Sequence, residues 1–270
     1  MDLGVIVYTE KQFEKRKIPF IQRCLNSIYR QKVDNVKIKL LVMDDNEIVN
    51  EIKNSIDADI IRFKEPAKAI NKCIKELDCS HFIIVRYDTI FAPNSINEIS
   101  ACKNDEGMLL NFTSKKDKLF FEPFFKVCDV NSQLEKSPFV WNVVFSKEII
   151  IKNKLSFEDF SLYNQYLFLI NYICCGHLIE SENVNLCLDR TIRVKRLSNK
   201  FIKQNFKKIC QTAKFIQKSR NSYAAAAFVR DICVPLTKLR YNAKGIRNRL
   251  KYSFMCIKFM RIIIGGNYGI

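Results

Sequence analysis

An α/β domain on a mainly parallel central sheet, followed by a basic α-helical C-terminal region, is what the sequence predicts. Short apolar runs of strand length alternate with segments of helical period over the first hundred residues, the pattern of βαβ units. Hydrophobic residues make up 48% and charged residues 27% of the 270 residues, with only 7 Gly and 6 Pro. That composition supplies a packed core and excludes global disorder and collagen-like or linker-rich chains. The charge is also divided. From Arg190 onward 20 Lys/Arg face a single acid, Asp231, whereas residues 1–189 carry 25 Lys/Arg and 27 acids. A near-neutral body with a strongly cationic tail puts the domain boundary near Arg190, giving a domain over 1–190 and a helical region over 191–270.

The elements follow in order. LGVIVY (Leu3 to Tyr8) reads as a strand. Ile18, Ile21, Leu25 and Ile28 share a helix face, with Pro19 suited to its first turn. KLLVM (Lys39 to Met43) and DIIRF (Asp59 to Phe63) are further strands. Pro66 opens a helix through Ile70, Ile74 and Leu77. HFIIV (His81 to Val85) is a fourth strand, and Pro93 starts a helix through Ile96 and Ile99. Residues 106–145 give a mixed pattern with aromatic pairs Phe120-Phe121 and Phe124-Phe125. Residues 161–175 read as a buried helix and 177–188 as a strand. Beyond Arg190 the chain reads as helical, with a break at Pro235.

Eleven cysteines, an odd number without a CxxC pair, fit small buried thiols in a reducing compartment rather than a disulfide framework. His81 and His177 stand far from any cysteine cluster, so a zinc site is not expected. The opening Met1-Asp2-Leu3 lacks the basic segment of a signal peptide, and no apolar run is long enough to span a membrane.

In an open parallel sheet, ligands bind at the carboxyl ends of the strands. That rule selects Tyr8-Thr9-Glu10, Asp44-Asp45-Asn46 and Arg86-Tyr87-Asp88. Carboxylates and hydroxyls there suit a nucleotide base, a ribose, or a metal bridging a diphosphate. The plainer alternative is that Asp44 and Asp45 cap the helix that follows them.

The order of several short motifs is similar to one family. GVIVYTE (Gly4 to Glu10), CLNSIYRQ (Cys24 to Gln31), MDDNE (Met43 to Glu47), Asn71-Lys72-Cys73-Ile74 and the Arg86-Tyr87-Asp88 triplet ahead of Pro93 resemble the nucleotide-sugar half of a family 2 glycosyltransferase. VWNVVFSKEII (Val140 to Ile150), LSFEDF (Leu155 to Phe160) and YNQYLFL (Tyr163 to Leu169) resemble its second half. The resemblance covers about residues 3–190 and implies a GT-A Rossmann-like nucleotide-sugar domain of the bacterial surface-glycan type. It further implies an inverting transfer of sugar from a UDP-, GDP- or CDP-linked donor, or of a similar activated alcohol.

By that resemblance, Tyr8, Thr9, Glu10, Asp44, Asp45 and Asn71 meet the donor, and Asp88 holds Mg²⁺ or Mn²⁺. Two positions depart from the pattern. The first acid of the family's DxD motif is Arg86 here, which can contact phosphate oxygens directly and take over work of the metal; otherwise it points to solvent beside a degenerate site. The family's ED pair falls on Tyr163-Asn164, and the Asn164 amide cannot accept a proton. Glu158 and Asp159, one loop earlier, are then the carboxylates left to act as base, unless they form only an acidic helix turn. Trp141 either stacks on an acceptor sugar or fills core.

The expected acceptor is a cell-surface glycan or its lipid-linked precursor. The tail then suits an anionic membrane surface, with the enzyme in the cytoplasm peripheral to the inner face of the membrane. A helical bundle that packs on the domain or self-associates is the alternative for the tail. A catalytically degenerate family member acting as a binding or scaffold subunit is the alternative for the whole. Nucleic acid is not an expected partner, because the tail lacks a reading motif or stacking platform.

Overall fold

The computed structural model describes residues 2–10, 13–43, 45–100, 106–114, 140–188, 199–219 and 222–264. The first half alternates β1 (Leu3–Tyr8), α1 (Ile18–Tyr29), β2 (Val36–Met43), α2 (Asn46–Ser55), β3 (Ile60–Phe63), α3 (Pro66–Glu76) and β4 (His81–Arg86). Next come β5 (Thr89–Phe91), α4 (Ser95–Ser100), β6 (Glu106–Ser114), β7 (Val143–Ser146), α5 (Lys147–Lys152), α6 (Leu162–Cys175) and β8 (His177–Leu188). Three long helices close the chain: α7 (Asn199–Ser219), α8 (Ser222–Tyr241) and α9 (Ile246–Ile264).

The strands form one sheet in the order β3-β2-β1-β4-β7-β6-β8-β5. β1 pairs in parallel with β2 and β4, β2 with β3, and β6 with β8. β7 lies antiparallel between β4 and β6, and β5 antiparallel to β8. The sheet is thus mainly parallel, as expected, and its open crossovers are the helices of the βαβ units. β1 and the Phe82–Val85 stretch of β4 are apolar and buried because both faces of the sheet are covered there. α1 buries Ile18, Ile21, Cys24, Leu25 and Ile28 on one face, with proline in its first turn. Close approach fixes one glycine: a Cβ at Gly107 in β6 would lie 2.6 Å from Tyr172 Oη and 2.8 Å from the Val144 carbonyl oxygen. That tyrosine hydroxyl accepts the Ser146 amide at 2.8 Å, tying α6 to the end of β7.

The basic helices are not a loose appendage. α7 packs on α6 as well as on α8 and α9. Tyr166 of α6 stacks on Phe228 of α8 at 6.2 Å between ring centroids, and Phe228 meets Phe259 of α9 at 5.7 Å. Ile202, Ile209, Phe228, Ile232, Leu236 and Phe259 are all fully buried. The expected break at Pro235 does not occur. α8 runs through it, because burial of Ile232, Leu236 and Leu239 outweighs the lost helical hydrogen bond. The described cysteines are free thiols, and burial raises Cys73 and Cys174 to about 11. No helix of the described residues is long and apolar enough to cross a membrane. The pairs Phe120-Phe121 and Phe124-Phe125 lie outside the described residues.

Candidate active site

The register of the parallel strands creates the site. Tyr8 is the partner of Arg86 across β1 and β4, so both sit at carboxyl ends of adjacent strands. Beyond β1 the Thr9 amide donates to the Leu41 carbonyl at 3.0 Å. The Thr9 hydroxyl accepts the Met43 amide at 3.3 Å, locking the end of β1 to that of β2. Glu10 then turns back over Arg86.

Arg86 is the centre of a charge network. Its Nε donates to Asp88 Oδ1 at 2.9 Å and its Nη2 to Asp88 Oδ2 at 2.7 Å, a two-pronged pairing. Its Nη1 reaches Glu10 Oε2 at 3.4 Å. Glu10 also accepts from Lys17 and, at 3.1 Å, from the Tyr87 hydroxyl. Burial disfavours ionised Glu10, yet the Lys17 hydrogen bond, the Arg86 charge and the Tyr87 hydroxyl hold its carboxyl below the usual range. Burial likewise opposes the Arg86 cation, but Asp88 outweighs it and raises its pKa. The segment after Asp88 is pinned by the CLNSIYRQ helix: Ser27 Oγ accepts the Phe91 amide at 2.9 Å. Gln31 takes the Ile96 amide at 2.9 Å and donates to the Ala92 carbonyl at 3.0 Å.

The facing wall is the stretch before α6. Asn71 of α3 holds it through both ends of its amide, donating to the Phe157 carbonyl at 2.7 Å and accepting the Phe157 amide at 3.0 Å. Phe157 stacks on Phe168 at 3.9 Å, and Phe160 meets Tyr8 edge-on at 5.0 Å. Between these rings Glu158 and Asp159 are exposed. Asp159 accepts the Ser161 amide at 2.8 Å and the Asn164 side-chain amide. Burial works against its charge, but these hydrogen bonds lower its pKa.

Together the walls enclose a cavity of about 610 Å³. Tyr8, Thr9, Glu10, Arg86, Trp141, Glu158 and Asp159 line it, so seven of the residues singled out from sequence converge there. The others take different places. Asp45 caps α2, its Oδ1 accepting the amides of Glu47 and Ile48 at 3.0 and 3.2 Å. Asp44 lies outside the described residues. Asn71 spends its amide on Phe157, Asp88 is buried under Arg86, and Asn164 stands behind Asp159. Trp141 is 1% exposed and packs edge-on against Phe112 at 4.6 Å, so it is core that also borders the cavity. Glu65, Pro66, Ala67, Phe160, Ser161 and Gln165 complete the lining. The strand-end rule, applied to β3, points to Glu65 and Pro66. Gln165 Oε1 is buried without a partner, which no sequence pattern signals.

A divalent ion of the Mg²⁺ or Mn²⁺ kind needs carboxylate oxygens open to it. Both oxygens of Asp88 are engaged by Arg86. Among the described residues no group of three or more His, Cys, Asp or Glu is placed to hold a metal. Among the described residues the donor set therefore does not fit a resident ion.

No protein-family model and no curated protein matches the sequence. Solved structures match the shape. S. aureus TarS 1-349 in complex with UDP-GlcNAc superposes at a TM-score of 0.65 and 12% identity, over 97% of this chain and 82% of that one. The protein has a GT-A fold. The same TarS fragment with UDP gives a TM-score of 0.64 at 12% identity, covering 97% and 81% of the two chains. The mannosyltransferase PcManGT from Pyrobaculum calidifontis, in complex with GDP-Man and Mn²⁺, gives 0.48 at 10% identity over 98% and 87%. The TarS match, over 97% of this GT-A chain, extends through the basic helices.

Proposed function

We propose that the chain is a nucleotide-sugar glycosyltransferase, moving a sugar with inversion from a nucleotide-diphosphate donor to a glycan or lipid-linked acceptor. The observation that carries this reading is the cavity itself: hydroxyl and acid groups of β1 and the Arg86 cation of β4 on one wall, Asp159 on the other. Tyr8, Thr9 and Glu10 receive base and ribose. Arg86 uses three N–H groups on Asp88 and Glu10, and a guanidinium has five. The remaining donors serve the diphosphate, whose charge grows as the bond to the sugar breaks. Asp159 accepts the proton of the acceptor hydroxyl as that oxygen attacks the anomeric carbon from the opposite face. Asn164 and the Ser161 amide hold Asp159 ionised for the task.

The outer helices support a peripheral place at the inner face of an anionic membrane. Ile246, Leu250, Phe254 and Ile257 of α9 are each more than half exposed. Their spacing puts them on one side of the helix, beside Arg247, Arg249, Lys251 and Lys258. Apolar side chains flanked by cations suit an interfacial helix. A second copy of the chain is the competing occupant. The experiment for the function as a whole is a melting-temperature screen with UDP, GDP and CDP, followed by turnover of the matching sugar nucleotides. Stabilisation by one nucleotide and release of it from its sugar conjugate are expected. No stabilisation by any of them overturns the reading.

A further inference from the structure

Beside the donor cavity lies a smaller one of about 260 Å³, between the stretch before α6, α6 itself and α7. Glu158 lines both cavities. Asn164, which holds Asp159 in the larger cavity, lines the smaller one. The two spaces therefore meet at Glu158, the residue before the carboxylate given the role of base, Asp159.

The chemistry of the smaller cavity is mixed and uncharged in sum. Phe168 and Phe215 give it an apolar side. Asn171 and the buried Thr212 give it neutral polar groups. The Asn171 Oδ1 atom is buried and accepts no hydrogen bond, a state that is costly unless a donor arrives. Lys208 is the cation there, and it is ion-paired with Glu158. A phosphate or carboxylate would have to compete with Glu158 for it. A ring with hydroxyls on its edges and C–H groups on its face matches these groups without competition.

We infer that this cavity is the acceptor subsite and takes one uncharged sugar ring of the receiving glycan, across Asn164 and Glu158 from the donor. The inference rests on the reading of the larger cavity as the donor site. It makes α7, outside the donor domain, a supplier of acceptor contacts through Lys208, Thr212 and Phe215.

The test uses the full chain and variants Asn171→Leu and Thr212→Val, each close in shape to the native residue. Methyl glycosides of glucose, galactose and N-acetylglucosamine are the probes, read by saturation-transfer NMR. UDP, GDP and CDP melting shifts are recorded on the same samples. Wild type is expected to show saturation of at least one glycoside. Each variant should weaken its binding about tenfold, the worth of one buried hydrogen bond, with the nucleotide shift unchanged. The melting temperature of Asn171→Leu should hold or rise, because its carbonyl oxygen has no partner to lose. No saturation in wild type, or equal saturation in both variants, overturns the inference even if nucleotide binds. If no nucleotide shifts any sample, the donor reading fails and takes the acceptor role with it, and the glycoside data then decide only whether the smaller cavity takes a sugar ring.

Discussion

Asn71 grips the backbone of Phe157 from both sides, its amide nitrogen on the carbonyl and its amide oxygen on the N–H, across 86 positions of sequence. That clamp, rather than any helix or strand, sets where Glu158 and Asp159 stand over the cavity. Asn71→Ala should remove two hydrogen bonds and leave a part-buried backbone pair unsatisfied. A loss of about 1–3 kcal/mol in denaturant unfolding is expected, with a fall in transfer rate larger than the change in donor binding. Normal turnover in Asn71→Ala would show that the stretch is held without the clamp.

Arg86 and Asp88 form a pair that should be felt in both stability and binding. Arg86→Ala takes both guanidinium hydrogen bonds from buried Asp88, and about 3–5 kcal/mol of stability should go. Arg86→Ala with Asp88→Ala should recover part of that stability but not the nucleotide melting shift. Because Arg86 engages both oxygens of Asp88, turnover should persist in EDTA, and Arg86→Lys should retain more of it than Arg86→Ala. Complete loss of turnover in EDTA would instead assign the charge-stabilising role to a metal.

Asp159 is held ionised by its neighbours, so its part in catalysis should show in the pH profile. Asp159→Asn should lower transfer by about 10²–10⁴-fold. In the wild type the acid limb belongs below the ordinary carboxylate pKa, since hydrogen bonds to the charged form depress it. Removing one of them with Asn164→Ala should raise the pKa and move that limb toward neutral pH. An unmoved limb would take Asp159 out of the reaction.

Asp45 separates capping from recognition. Asp45→Ala should cost about 0.5–2 kcal/mol through the cap of α2, and Asp45→Ser should restore most of it. If Asp45→Ser still fails to bind nucleotide while folding normally, the carboxylate meets the donor as well as the helix.

The exposed side of α9 predicts salt-dependent binding to vesicles. Full-length protein should co-sediment with phosphatidylserine-containing liposomes at low salt. Leu250→Ser with Phe254→Ser should weaken that binding while leaving the bundle intact, because both side chains are already exposed. Equal binding by the double variant, or none by wild type, would leave self-association as the role of this surface; sedimentation of the free protein measures that directly.

Much of the fold is legible in the residues. β1, β2, β3 and β4 are apolar runs bounded by charge, and α1 shows its buried face in the 3, 4, 3 spacing. β6 and β7 are not legible, because Gly107, Asn111 and Thr113 interrupt the apolar pattern. The four residues of β7 also acquire meaning only by inserting between β4 and β6. For the site, the strand-end rule places Tyr8, Thr9, Glu10 and Arg86 together. It cannot see that Asn71 turns toward the backbone of Phe157, a partner 86 positions away, or that Asp88 turns back under Arg86 two residues earlier, because the residue types alone do not say which partner a side chain takes.

Lys208 crosses from α7 to Glu158, and that single contact changes what the charge boundary near residue 190 means. In a hybrid gene joined there, the sheet domain would face helices that had never matched its loop, and Glu158 without Lys208, or a foreign side chain, would stand at the edge between the two cavities. Lineages can shuffle an anchor freely, but they cannot shuffle a wall that two cavities share. The helices should therefore travel through evolution with the domain they close, and changes in Lys208 should track changes in Glu158.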